Sequence, residues 1–200
     1  MSEDFTEISN NAKYYAKRPR HEMRLAKHAI IDEAEVKALL ARGAFATLAT
    51  VHDDQPFLTP LLYIYIEGDH ALYFHTAQVG RTRANVSFEP NAALNVSEFG
   101  RILPHWEALE FNVEYNSVTV FGEIQMVTEP AAAERALQAL LDKYAPHLLP
   151  GRDYRPIQPE ELKRTAVYRL AIQDWSAKRQ HEPDDYPGAF YYAHPPIIQR

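Results

Sequence analysis

One segment, residues 72–83, holds the residue types best suited to binding a phosphate group. An apolar run ends in His-Thr-Ala at positions 75–77, a short loop with Gly80 follows, and Arg81 and Arg83 stand where a helix would begin. Glycine and small residues let backbone N–H groups approach a ligand closely. A helix N-terminus favours anions, and a guanidinium binds phosphate oxygens through a fixed fork of donors. The segment therefore predicts a phosphate clamp at a strand end, in a chain without a Walker or Rossmann glycine pattern.

Composition is typical of a single-domain globular protein. At 200 residues the chain is long enough to bury one sizeable core. Its net charge of −6 argues against a general nucleic-acid binder, which needs a basic face. The absence of cysteine excludes disulfides and thiolate chemistry. Because the N-terminus is acidic and no stretch reaches the ~18 apolar residues of a membrane helix, we expect a cytoplasmic protein without a membrane partner.

Two common catalytic classes find no support in the residue spacing. The histidines are scattered and no His-Glu-x-x-His pattern is present, so we expect no metal site. The chain also lacks the Gly-x-Ser-x-Gly pattern that positions a nucleophilic serine. Hydrolase chemistry is therefore not expected.

Short strands dominate the rest of the pattern. Asp32 is a good N-cap for the first helix. Short turns between apolar runs predict antiparallel hairpins, and Pro56 and Pro60 place the second strand at a sheet edge or a bulge. Gly122 predicts a bend in a later strand. The predicted strands cover residues 44–51, 56–66, 71–76, 92–99, 115–127 and 165–172, and the predicted helices cover residues 31–43, 81–88 and 128–144.

This pattern predicts a mainly β fold with peripheral helices, arranged as a small antiparallel barrel. We divide the chain into an N-terminal arm (residues 1–28), a barrel domain (residues 29–180) and a C-terminal tail (residues 181–200). The arm carries a basic cluster at residues 17–20 and is expected to be loose or docked on a partner subunit. From Ser176 onward the chain is rich in proline, tyrosine and aspartate and is expected to be extended.

Four segments, in order along the chain, resemble the pyridoxamine 5'-phosphate oxidase-like, flavin-binding split-barrel proteins, and within them the branch that includes the nitroimidazole-resistance proteins. They are residues 55–61 with their two prolines, residues 72–83, residues 115–122, and residues 165–179 with a Ser-Ala-Lys signature. Asn116 departs from the family pattern, because many relatives have arginine there. This departure puts the details of the substrate site in question more than the fold.

The resemblance implies an FMN-binding split β-barrel of Greek-key type and a homodimer with two flavins at the subunit interface. It also implies oxidoreductase chemistry on a small molecule, with a nicotinamide as candidate electron donor. Arg81 and Arg83, with the Thr82 hydroxyl, are expected to hold the FMN phosphate. The expected cofactor-binding residues are Thr59, Pro60, Leu61, His75, Thr76, Ala77, Arg81, Thr82, Arg83, Ser117, Trp175 and Lys178. No residue is assigned as catalytic, because the flavin supplies the chemistry.

Plainer roles stay open for several of these residues. Residues 59–61 would line the flavin ring through backbone groups, or pack the barrel. Trp175 and Lys178 would reach the cofactor across the interface, although the tryptophan could equally be a hydrophobic anchor. His75 could bind the phosphate or ring, line a substrate pocket, or be a satisfied histidine at a strand end. The two arginines of the clamp could instead face solvent.

Three other functions stay open on the same fold. The chain could store or sense FMN without catalysis, and steady turnover with a reduced nicotinamide would separate that function from an enzyme. It could bind heme through His75 or a tail histidine, which a Soret band would show, or it could bind a deazaflavin. True pyridoxamine phosphate oxidase activity is less favoured, because no second basic cluster is evident for a substrate phosphate.

Overall fold

The computed structural model describes residues 16–23 and 25–194. The strands are β1 (Ala46–His52), β2 (Gln55–Leu61), β3 (Ile64–Ile66), β4 (Ala71–Ala77), β5 (Asn91–Leu103), β6 (Asn112–Met126), β7 (Thr165–Gln180) and β8 (Phe190–Tyr191). The helices are α1 (Glu33–Arg42), α2 (Arg81–Phe88), α3 (Pro130–Tyr144) and α4 (Pro159–Leu162). Within those residues, no helix combines the length and the apolar character needed to cross a bilayer.

The strands form one antiparallel sheet in the order β2-β1-β5-β6-β7-β4-β3, with β8 paired to β5. The two ends of this order, β2 and β3, are joined by Leu62 and Tyr63 alone. The sheet must therefore curl until its edges approach each other, which produces a barrel. This topology confirms the predicted mainly β fold class, and it confirms the edge position that the prolines predicted for β2.

Strand β4 is covered on both of its faces, which matters for the residues at its end. Leu72 and Phe74 point into the barrel and are fully buried in the main core. Ala71 and Tyr73 point the other way and pack, with Ala136 and its neighbours, beneath α3. Because successive side chains of a strand alternate between its faces, residues that follow in β4 must also divide between the barrel side and the α3 side.

The helix ends carry the signals expected from the sequence. The Asp32 carboxylate accepts a hydrogen bond of 2.9 Å from the Ala34 N–H and caps α1. The Glu129 carboxylate accepts hydrogen bonds from the first turn of α3, and Pro130 occupies the first position of that helix. Both caps satisfy N–H groups that have no partner within the helix.

Some element boundaries differ from the prediction. The single predicted strand 56–66 is broken at Leu62 into β2 and β3, because the barrel turns its corner there. Strand β7 continues to Gln180, so the expectation that the extended tail begins at Ser176 is wrong. These last residues pair with β6 in register, with Ala177 opposite Val118. Helix α4 was not predicted, because four residues are too few to show a helical period.

The described part of the N-terminal arm lies against the outer face of the sheet. The Arg20 guanidinium lies 5.1 Å from the centroid of the Phe121 ring. The His21 Nδ1 lies 3.3 Å from the Asp174 carboxylate. Most of the predicted arm, residues 1–15 and 24, lies outside the described residues.

Candidate functional site

The N-terminal turn of α2 is the centre of the candidate site. Gly80 precedes the helix and makes no side-chain cap. The first N–H groups of a helix have no partner within it, so those of Arg81, Thr82 and Arg83 lack a capping group. These groups carry the partial positive charge of the helix end, which favours a bound anion.

Two hydroxyls and one guanidinium border this helix end. The hydroxyl oxygens of Thr59, on β2, and Thr82 lie 3.4 Å apart, and Thr82 is buried. The Arg81 guanidinium lies 4.9 Å from the centroid of the Phe57 ring, two residues earlier on the same strand. This cation–π contact holds the side chain beside β2. We call Thr59, Arg81, Thr82 and Arg83, with the end of α2, the anion cradle.

Arg83 is held on the other side of the cradle. Its Nη1 donates a hydrogen bond of 2.7 Å to the Gln78 side chain and lies 3.0 Å from the Met126 sulfur. The Gln78 amide in turn donates to the Thr165 carbonyl oxygen over 3.0 Å. Arg83 and Gln78 therefore tie the start of α2 and the loop before it to β6 and β7, and among the described residues the Arg83 Nη2 and Nε have no hydrogen-bond partner.

The positive charge of the cradle is not neutralised by the surrounding protein. Throughout residues 16–23 and 25–194, neither Arg81 nor Arg83 forms an ion pair. The first turn of α2 also contains no acidic residue. Two arginines and a helix N-terminus thus place positive charge at the start of α2, and a phosphate group carries the charge that complements it.

Thr76 and Ala77 lead from β4 into the cradle loop. The Thr76 hydroxyl donates a hydrogen bond of 2.9 Å to the Ala77 carbonyl oxygen. Ala77 pairs with Thr165 at the end of β4. A ligand in the cradle would meet this part of the chain through its backbone.

His75 points away from the barrel, toward α3. It pairs with Val167, whose side chain belongs to the cluster beneath that helix. Its ring lines a cavity of about 580 Å³ between β4, α3 and α4. Burial lowers the pKa of His75 below its ordinary value of 6.5, so the ring is neutral at pH 7. Within the described chain its ring nitrogens have no hydrogen-bond partner.

Three more predicted residues lie on the outer face of the sheet rather than in the cradle. Pro60 pairs with Thr47, the first residue of a polar row that continues through Asn95 on β5, Thr119 on β6 and Ser176 on β7. The Ser117 hydroxyl lies 3.0 Å from that of Ser97. Lys178 is opposite Ser117 in the register, with its Nζ 5.4 Å from the Tyr115 ring centroid.

Leu61 and Trp175 lie on the barrel side of the sheet. Both pack against the main core and are half-buried. The Trp175 ring makes an edge contact with His70, with 5.3 Å between the ring centroids. The structure therefore places Thr59, Arg81, Thr82 and Arg83 around the start of α2, whereas Ser117, Trp175 and Lys178 make their contacts elsewhere.

The sequence reasoning did not identify the residues that position the arginines. Phe57 lies two residues before Thr59, so strand alternation would have placed both on the same side of β2. Gln78 and Met126 carried no such signal, because Met126 is 43 positions from Arg83.

Asn116 is integrated into a polar network where many relatives have arginine. Its amide donates a hydrogen bond of 2.9 Å to Glu98 and contacts the His181 ring over 3.0 Å. The cation that pairs with Glu98 is instead Arg42 of α1, whose guanidinium donates two hydrogen bonds of 2.8 and 2.9 Å to the Glu98 carboxylate. The neutral amide therefore leaves no carboxylate unpaired here.

Two solved structures combine high similarity in fold with more than a quarter of identical residues. The flavocytochrome Anf3 from Azotobacter vinelandii is 27% identical, with a TM-score of 0.72 over 90% of this chain and 87% of that chain. An FAD and heme binding protein from Mycobacterium smegmatis is 26% identical, with a TM-score of 0.68 over 79% of this chain and 76% of that one.

A third structure is similar in fold alone. It is a proposed 5-nitroimidazole antibiotic resistance protein from Bacteroides thetaiotaomicron, 14% identical, with a TM-score of 0.63 over 76% of this chain and 86% of that one. No curated protein matches the sequence. The family model of pyridoxamine 5'-phosphate oxidase, however, matches residues 32–179, which contain the whole anion cradle. This chain therefore belongs to the pyridoxamine 5'-phosphate oxidase family.

Proposed function

We propose that this chain binds FMN, with the flavin phosphate in the anion cradle, and that it is an oxidoreductase acting on a small molecule. The observation that carries the proposal is the pair of arginines without ion pairs at the uncapped start of α2, within the described residues. A doubly charged phosphate would neutralise both guanidinium groups and accept hydrogen bonds from the helix end. The Thr82 hydroxyl would add a further donor.

The flavin ring would lie along the edge strand β2. Residues 59–61 offer backbone groups beside the cradle, and the sheet behind them is rigidly paired with β1. When bound, the flavin supplies the hydride or electron transfer. The chain supplies orientation and a dry surface, so it needs no fixed general acid or base.

A second copy of the chain would complete the site. The outer face of the sheet exposes large apolar side chains, including Leu58 at 70% and Phe99 at 62% exposure. The polar row and Lys178 lie on the same face, which would bring them near the partner's flavin. A homodimer would bury this face and explain why Ser117 and Lys178 are far from the cradle of their own subunit.

The test is an absorbance spectrum of the purified protein, followed by mass analysis of released ligand and FMN titration of the apoprotein. We expect flavin bands, and we expect Arg81→Ala and Arg83→Ala each to weaken FMN binding by about tenfold or more. Arg152→Ala, which changes an exposed arginine outside the site, is the matched control. A colourless protein that binds no added flavin would refute the proposal.

Two further measurements refine the assignment. One relative is described as an FAD and heme binding protein, so the mass of the released ligand is needed to decide between FMN and FAD in this chain. Steady oxidation of a reduced nicotinamide, faster than in the Arg81→Ala variant, is expected of an enzyme. Flavin binding without turnover would identify a storage or sensing protein.

Heme binding is the second candidate function. It is favoured by the neutral His75 ring, which has no partner among the described residues, in an apolar cavity. It is also consistent with the descriptions of two relatives as a flavocytochrome and as an FAD and heme binding protein. A Soret band in the spectrum of the purified protein would support it.

A further inference from the structure

Met126, the last residue of β6, connects the anion cradle with the protein surface. Its sulfur lies 3.0 Å from the Arg83 Nη1, which also donates a hydrogen bond of 2.7 Å to the Gln78 side chain. The Met126 side chain is 41% exposed and lines two neighbouring clefts of about 390 and 280 Å³ that share residues 126–128. A small solute can therefore approach this thioether without unfolding of the sheet.

The contact with sulfur matters because of what else holds Arg83. A thioether is a weak hydrogen-bond acceptor, and Gln78 offers only a neutral amide oxygen. Among the described residues no carboxylate pairs with this guanidinium. The position of a cradle arginine therefore depends on two neutral acceptors, one of which can change chemically.

Oxidation would turn the Met126 sulfur into a much better acceptor. Methionine sulfoxide is polar, whereas the thioether is apolar, and the change is reversed by methionine sulfoxide reductases. Hydrogen peroxide is the oxidant in this reaction. Its O–O bond breaks, one oxygen atom bonds to the sulfur, which gives up two electrons, and the other oxygen leaves as water.

The present geometry has no room for that oxygen between sulfur and guanidinium. A hydrogen bond from an N–H group to oxygen needs about 2.9 Å between nitrogen and oxygen, which is nearly the whole present distance between Nη1 and the sulfur. The Met126 backbone is paired with Tyr168 in the sheet, so the side chains must adjust rather than the strand. The Arg83 guanidinium therefore has to move when the oxygen turns toward it.

We propose that Met126 is a site of reversible oxidation by peroxide, and that its sulfoxide draws Arg83 out of place and weakens the hold of the cradle on a phosphate group. The effect on phosphate rests on the proposed function, whereas the contact between Met126 and Arg83 does not. The sulfoxide oxygen competes with phosphate for the same guanidinium. Enzymes that pass electrons from a flavin to dioxygen release peroxide, so the oxidant would arise close to its target.

The experiment treats the full-length protein with graded hydrogen peroxide and measures FMN binding before and after. Peptide mass analysis gives the oxidised fraction of each methionine, and a methionine sulfoxide reductase then reverses the treatment. The variants are Met126→Leu, which cannot be oxidised at this position, and Met126→Gln, whose amide oxygen stands in for the sulfoxide. Met23→Leu, which changes a partly buried methionine of the N-terminal arm, is the matched control.

We expect oxidation of Met126 to weaken FMN binding by about tenfold, the loss of one charge-assisted contact, and the reductase to restore it. Met126→Leu should have the same affinity before and after peroxide, while Met23→Leu should keep the full response. Met126→Gln should bind FMN more weakly than Met126→Leu without any treatment. Thermal melting checks that each variant is folded.

A second measurement does not depend on flavin. Because an Arg83 N–H engages the Met126 sulfur, Arg83→Leu should make Met126 oxidise about twofold or more faster relative to Met23 in the same sample. Arg152→Ala, which changes an exposed arginine outside the site, should leave this ratio of oxidation rates unchanged.

The inference is overturned if the protein with oxidised Met126 binds FMN as tightly as before, or if Met126→Leu still responds to peroxide. An unchanged ratio of oxidation rates in Arg83→Leu would also overturn it. FMN binding that peroxide does not alter would refute only the role of Met126. Absence of FMN binding by the untreated protein would instead refute the proposed function, and the ratio of oxidation rates would then decide the contact between Met126 and Arg83 by itself.

Discussion

Replacing Glu114 by glutamine should destabilise the protein by about 3 kcal/mol at neutral pH. Glu114 and Arg101 form a buried ion pair, with contacts of 2.6 Å to Oε1 and 2.8 Å to Oε2. The same carboxylate accepts a hydrogen bond of 3.0 Å from the Glu182 N–H. Arg101 also donates to the carbonyl oxygens of Glu182, Pro183 and Asp184 over 2.9, 3.1 and 3.0 Å. The pair therefore fastens the C-terminal tail to the β5–β6 hairpin.

The magnitude follows from the pKa of the carboxyl group. Hydrogen bonds from Arg101 lower the pKa of Glu114 from 4.5 to about 2. At about 1.4 kcal/mol per unit, this shift corresponds to about 3 kcal/mol of stabilisation by the ionised form. Because the folded-state pKa is the lower one, that stabilisation is fully present above pH 4.5. It is lost as the pH falls from 4.5 toward 2.

The assay is urea unfolding of the wild type and Glu114→Gln at pH 7 and at steps below pH 5. We expect a difference of about 3 kcal/mol at pH 7 that narrows as the pH falls through that window. Limited proteolysis at pH 7 should cut the tail faster in the variant. Glu110→Gln, an exposed carboxylate near the same hairpin, is the control. Equal stability at pH 7, or a difference that does not change with pH, would contradict this account of the ion pair.

Two further substitutions test the packing of the barrel. Gly122→Ala should destabilise the protein by about 2 kcal/mol or more in urea unfolding, because the added Cβ would lie 1.9 Å from the Ala171 carbonyl oxygen. Gly68→Ala, which meets nothing within 4 Å, should have little effect, and equal losses for the two would count against the argument. Burial lowers the pKa of Lys143 from 10.5 to about 8. Because the unfolded chain then binds the proton more tightly than the folded one, the free energy of unfolding of the wild type should rise between about pH 8 and 10.5. The Lys143→Met variant should lack this rise. The free energy of unfolding of the methionine variant at pH 7 should be about 1–2 kcal/mol higher than that of the wild type. This gain is smaller than the pKa shift alone implies, because the Lys143 amine lies 3.8 Å from the Tyr63 ring centroid and the variant loses that cation–π contact. A lower stability of the variant at pH 7 would show that the cation–π contact outweighs the cost of burying the amine.

Local signals predicted several elements of this fold well. Helix α2 spans residues 81–88 as predicted, because Gly80 and Pro90 mark its ends. Asp32 caps α1 through the predicted side chain, and the prolines of β2 place it at the sheet edge. Each of these features depends on backbone conformations of neighbouring residues, which residue types restrict directly.

The end of β7 shows where local signals failed. Residues 173–180 are mostly polar and resemble a tail in composition, yet they continue the strand. Their outer face carries polar groups because it does not contact the barrel core, while Ala177 points inward against Val118. The hydrogen bonds to β6 hold this segment as a strand, and β6 is far away in the sequence.

The sequence by itself determined which groups were available: two arginines with a threonine between them at a helix start, a second threonine on an earlier strand, and a histidine at a strand end. Only the tertiary structure decided which of them meet. The curl of the sheet brings Thr59 to Thr82, and strand alternation turns His75 away from the cradle and into a separate cavity. These outcomes depend on register and packing between distant segments, whose energies come from burial over the whole barrel rather than from any local pattern.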